Sequence, residues 1–103
     1  MLKWHRNCYI GENVKDLPGI RKRLENGRAV PGIYLLALSE NPRNLLEIFP
    51  AVTLMQRTAA SLCPEIIGIA KGKDEAFGLV ESIVREIYRE TGDVQVKEYF
   101  KNR

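Results

Sequence analysis

The sequence predicts a single α/β domain over residues 1–103, in the order β-α-β-α-β-α-β, with a mainly parallel four-stranded sheet and three helices. Three observations carry this. Two short apolar runs, Ile33–Leu38 and Ile66–Ala70, are bounded by turn residues, as strands buried on both faces are. Between Asp74 and Arg89 the apolar residues recur at intervals of three and four, the mark of an amphipathic helix. Strand-like and helix-like segments alternate, and parallel neighbours need a crossover of about a dozen residues or more, which a helix supplies.

In chain order, Leu2, Trp4, Cys8 and Ile10 alternate with Lys3, His5, Asn7 and Tyr9, which predicts an edge strand. Gly11 to Asn13 form a turn. Asp16 can cap a helix that carries Pro18 in its first turn and Ile20 and Leu24 on its inner face, running from about Leu17 to Asn26 before Gly27 stops it. Pro31 and Gly32 then open the apolar strand Ile33–Leu38. Asn41 followed by Pro42 reads as a helix start, because proline's missing N–H would be unpaired in the first turn anyway. Leu45, Leu46, Ile48 and Phe49 are expected on that helix, with a kink or break at Phe49 because Pro50 cannot continue it, and Leu54 and Met55 belong to a second helical piece. Thr58 to Pro64 read as a loop.

Gly68 interrupts the second apolar strand, which signals a close approach by a neighbour. In the helix Asp74–Arg89, Phe77, Val80, Val84, Ile87 and Tyr88 mark the periodicity, and Val80, Val84 and Ile87 are expected to face the sheet. Asp74 and Glu75 suit its positive end, and Gly92 suits a left-handed stop. Val94, Val96 and Phe100 alternate with Gln95, Lys97 and Tyr99, predicting a last edge strand.

The 103 residues are 45% hydrophobic and 28% charged, values of an ordinary globular domain that exclude disordered and collagen-like classes. Two cysteines, Cys8 and Cys63, and one histidine, His5, cannot assemble a four-ligand Cys/His zinc site, and no metal or cofactor is expected. No apolar run approaches the roughly 18 residues of a membrane span, and Met1 to Asn7 lack an apolar signal core. The expectation is a cytoplasmic chain with free thiols, without membrane attachment. Net charge is +3, and the excess is N-terminal: residues 1–30 hold seven basic against three acidic side chains, whereas residues 71–103 hold seven of each.

Ligands of open α/β sheets bind outside the carboxyl ends of parallel strands. If the two apolar strands are parallel neighbours, the segments 39–43 and 71–74 share one rim, and Ser39, Asn41, Arg43, Lys71 and Lys73 form a candidate site for a small anionic ligand. Asp74 and Glu75 oppose an anion there. Lys71-Gly72-Lys73 is not a phosphate-binding P-loop, since Ile67 stands where that motif needs glycine and Asp74 where it needs Ser or Thr. Cys8 and His5 do not read as a catalytic pair, because strand residues three apart point to opposite faces.

The leading expectation is therefore a non-catalytic accessory or ligand-binding domain. The alternative is an RNA-binding domain using Lys3, Trp4 and Arg6 together with Arg21, Lys22 and Arg23, since an aromatic ring interleaved with cations suits bases and phosphates. An enzyme using the loop rim is a third reading. A homodimer is also expected: three helices do not easily cover both faces of the sheet, and a second copy would cover the other.

Overall fold

The structure is a computed structural model that describes residues 2–28, 30–38, 46–55, 65–93 and 95–103. Its elements are β1 (Trp4–Ile10), α1 (Leu17–Glu25), β2 (Ile33–Leu38), β3 (Leu46–Pro50), a 3₁₀ turn (Ala51–Met55), β4 (Ile66–Lys71), α2 (Lys73–Thr91) and α3 (Val96–Asn102). The four-stranded sheet has the spatial order β1-β4-β2-β3. It is mixed, not mainly parallel: β1 and β4 run parallel, while β2 is antiparallel to both β4 and β3.

Two expected elements take the other secondary structure, and this changes the order to β-α-β-β-β-α-α. Residues 46–49, expected on a helix, form β3, which pairs with β2 so that Leu46 opposes Leu38, Ile48 opposes Leu36 and Phe49 opposes Leu35. A short apolar segment has no helix-specific period, and cross-strand pairing of Ile48 and Phe49 with the buried β2 decides its state. Pro50 ends an edge strand, where a missing N–H is tolerated. At the other end of the chain, Val96 and Phe100 are four residues apart and both buried, and they place α3 where a strand was expected. The expected helix start at Asn41–Pro42, the loop Thr58–Pro64, Cys63 and Val94 lie outside the described residues.

The remaining elements follow their sequence signals. Asp16 caps α1 through its carboxylate, which accepts from Gly19 N at 3.3 Å. Gly92 adopts φ 74° after α2 and donates its N–H to Tyr88 O at 2.7 Å, as a left-handed stop does. A Cβ at Gly68 would lie 3.3 Å from two carbons of Leu36, so the close neighbour is that buried side chain.

Both faces of the sheet are covered within the chain. On one face Ile20 and Leu24 of α1 pack on Ile33, Leu35, Ile66 and Ile69. On the other, Ala76, Ile83 and Ile87 of α2 and Val96 and Phe100 of α3 pack on Leu36, Ile67 and Ala70. Leu35 and Leu36, neighbours that point to opposite faces, are both fully buried. The uncovered face from which a homodimer was expected does not arise, because the three helices divide between the faces, α1 on one and α2 with α3 on the other. Ile87 and, partly buried, Val80 face the sheet as expected, but Val84 is half-buried and lies outside both cores; the fully buried residues of α2 are Ala76, Ile83 and Ile87. Among the described residues no helix is long and apolar enough to cross a membrane.

Candidate functional site

Because β2 and β4 are antiparallel, their carboxyl ends lie at opposite ends of the sheet and do not form the shared rim expected for the anion site. Leu38 N donates to Glu65 O at 3.1 Å, so β2 ends where β4 begins, whereas Lys71 opposes Ile33 at the other end. Lys71 and Lys73 therefore stand at the end of the sheet opposite to that from which the chain leaves β2, and Ser39, Asn41 and Arg43 lie outside the described residues.

At the Lys71 end a carboxylate of the chain already engages the backbone donors. Glu75, in the first turn of α2, accepts from Lys71 N at 3.1 Å, Asn13 N at 3.1 Å and Asn13 Nδ2 at 2.6 Å. Burial would raise this carboxyl, but those hydrogen bonds and the field of Lys15 outweigh it and hold it below the usual range. The approach requires glycine at position 11, where a Cβ would collide with Glu75 Oε1. Lys73 lies over the Phe77 ring at 5.9 Å.

The edge strand β1 carries a denser constellation. Trp4 opposes Ile66 and Tyr9 opposes Gly68, so β1 advances five residues while β4 advances two. The extra residues form a bulge, a device that re-aims side chains at sheet edges. Inside it His5 Nδ1 accepts from Asn7 N at 3.0 Å, and the Cys8 thiol lies 3.0 Å from His5 O and 3.3 Å from Ile66 O. The other ring nitrogen, Nε2, donates to Phe100 O at 2.9 Å, and Glu65 Oε2 stands 3.9 Å from it. Both nitrogens of His5 are thus committed to the backbone. Burial pushes the Cys8 thiol up, Glu65 adds to this, and the positive fields of Arg21 and Arg103 do not cancel it. A protonated thiol beside a fully bonded imidazole has neither nucleophile nor base to offer.

Cations flank this bulge on both sides. The Arg21 guanidinium sits 4.6 Å from the Trp4 ring centroid, bringing α1 onto the start of β1. Glu25, one turn further along the same face of α1, holds the indole by accepting from Trp4 Nε1 at 2.9 Å, and it also accepts from Leu2 N at 3.3 Å. Beyond the bulge the Arg103 guanidinium stacks on Tyr9 at 4.3 Å, while its Nε donates to Asn7 O and its carbonyl accepts from Asn7 Nδ2. A separate cleft of about 350 Å³ is lined by His5, Arg6, Glu65, Phe100 and Lys101.

Of the sequence-derived candidates, Trp4 and Arg21 are in contact, Arg6 lines the cleft with Phe100 and Lys101, and Lys3 is exposed just before β1. Lys22 and Arg23 are exposed on α1, about 100° apart around the helix. Lys3, Arg6, Lys22 and Arg23 make no ion pair among the described residues. Sequence reasoning missed Lys101 and Arg103, since a terminal strand in place of α3 gives no reason to set them beside β1. Searches of protein families, curated proteins and solved structures find no match for this chain.

Proposed function

We propose that the protein is a non-catalytic RNA-binding module that holds a single strand along the basic edge formed by β1, α1 and α3. The observation that carries this reading is the contact of Arg21 with Trp4, which sets the cations of α1 beside the start of β1, the strand that Lys3 precedes and that contains Arg6. Arg6 and Lys101 at the cleft and Arg103 beside it extend the same positive path. Phosphates would be neutralised by these ammonium and guanidinium groups, and the guanidinium groups held over the Trp4 and Tyr9 rings would offer surfaces on which an unpaired base can stack. The bulge turns Arg6 and Asn7 to solvent, in keeping with a surface that receives a ligand. Such a module would work in the cytoplasm, where a free thiol such as Cys8 stays reduced.

The test is titration of a fluorescent single-stranded RNA of about 16 nucleotides, the upper end of the site size of a small module. With about four phosphate contacts, log K should fall with log salt at a slope of about −3, given roughly −0.7 per contact for single strands. Replacing both Lys3 and Arg6 by Ala should reduce the slope by about 1.4. The control substitutes Lys71 and Lys73, at a distant rim, and should leave the slope unchanged. Binding that is absent at low salt, or that depends on Lys71 and Lys73 instead, would overturn the assignment.

A further inference from the structure

The outward side of α2 carries large apolar residues that stay exposed. Phe77 is 53% and Tyr88 61% exposed, and Val84 between them is half-buried. At 3.6 residues per turn, Val84 and Tyr88 lie within about 20° of Phe77 around the helix, so the three form one stripe. Flanking charges change along the axis: Asp74 and Glu81, together with Lys73 over the Phe77 ring, lie in the N-terminal half and Arg85 and Arg89 in the C-terminal half, all of them exposed.

This pattern is complementary to its own reverse. When two copies of α2 are laid antiparallel about a twofold axis, residues whose numbers sum to 165 stand opposite. Phe77 then meets Tyr88 of the other copy, and Glu81 meets Val84 with Arg85 one position away. Asp74 comes within one turn of Arg89, with the opposite sign. A parallel arrangement would set acidic against acidic and basic against basic. Within one chain Arg85 Nη2 and Glu81 Oε1 already pair, both side chains remaining largely exposed, so each can reach across without unfolding anything.

We infer that the exposed stripe of α2 is the contact surface of an isologous antiparallel dimer of this chain, centred between Glu81 and Arg85. The occupant is a second copy because the stripe supplies both halves of each pairing: an aromatic for an aromatic and a carboxylate for a guanidinium. A contact through one helix is smaller than a standard protein interface, so the dimer is weak and forms at high micromolar concentration. It is independent of the RNA reading, since the basic edge belongs to other elements.

The test is sedimentation equilibrium of the whole chain without nucleic acid, from low to several hundred micromolar. The mass should climb from the 11.7 kDa of one chain toward twice that value. Glu81→Arg and Arg85→Glu, each alone, place like charges across the axis and should weaken association about tenfold. Mixing the two variants in equal amounts should restore it, because every crossing in the mixed dimer is again of opposite sign. An intramolecular role for the pair cannot give that rescue. Tyr88→Ser should also weaken association, and thermal melting of each variant verifies that it is folded. A mass that stays at one chain at all concentrations, or an association that neither single exchange changes, would overturn the inference.

Discussion

His5 and Phe100, at opposite ends of the chain, are joined twice: Nε2 donates to the Phe100 carbonyl at 2.9 Å, and the two rings meet edge to face at 5.3 Å between centroids. The imidazole thus ties α3 to β1 and also supports the bulge through Nδ1 and Asn7 N. The carbonyl and the amide are left unsatisfied when the ring is removed. His5→Ala should therefore cost about 2–4 kcal/mol, the sum of lost packing and lost bonds at a buried site. Thermal melting checks the loss, and amide exchange should show α3 opening ahead of β4. An unchanged melting temperature would remove His5 from this role.

The pH dependence on the alkaline side follows from Tyr9, Tyr99 and Cys8. Burial raises the Tyr9 phenol far above its usual value, and the Glu86 carboxylate that accepts its proton at 2.5 Å raises it further. Tyr99 is raised by burial and by its bond to Glu90, and Cys8 by burial. In each case the folded state holds its proton more tightly than the unfolded one. The stability so contributed is complete below the unfolded pKa, and it declines as pH rises from about 8.5 for the thiol and about 10 for the phenols. Urea titrations should show unfolding free energy falling above about pH 9, with the steepest part near pH 10–11. Tyr9→Phe should flatten that part.

Two glycines should respond oppositely to alanine. A methyl at Gly68 lies 3.3 Å from Leu36 Cβ, an atom the backbone fixes, so overpacking should cost about 1–3 kcal/mol. Gly78 stands in α2 with nothing within 4 Å of a new Cβ, and Gly78→Ala should stabilise by about 0.5–1 kcal/mol through helix propensity. Melting curves read both signs.

Adjacent positions of α2 give a sharper contrast. Ile83 is fully buried against the sheet and Val84 only half so. Ile83→Asp places an unpaired charge in the core and should leave no folded protein. Val84→Asp should fold, with a lower melting temperature. Circular dichroism of the two variants decides the orientation of the helix.

That contrast marks how far the sequence could be read. The helix α2 was legible because its apolar residues repeat over more than four turns, but a stripe that includes Phe77, Val84 and Tyr88 beside the core row blurs which side faces inward. The strands β2 and β4 were legible from short apolar runs set between turn residues. Residues 46–49 were not, because Asn41–Pro42 carries a genuine helix-start signal while the strand depends on the pairing of Ile48 with Leu36. Val96 and Phe100 carried both a period of two and a period of four, and only the core formed with Ile87 chooses between them. At the candidate site, Lys3, Trp4 and Arg6 could be named from composition alone. Their union with Arg21, Lys101 and Arg103 depends on packing between segments far apart in the chain.

The bulge of β1 has a consequence for solubility. A regular edge strand offers a row of free N–H and C=O groups on which another chain can build, which is how folded sheets recruit each other into aggregates. In β1 the row is interrupted between Trp4 and Tyr9, and Arg103 Nε occupies the Asn7 carbonyl. An incoming strand therefore meets a broken, positively charged border instead of a template. The C-terminal turn of α3 acts as a guard on that border, and the chain becomes prone to aggregate when α3 detaches, well before the sheet itself comes apart.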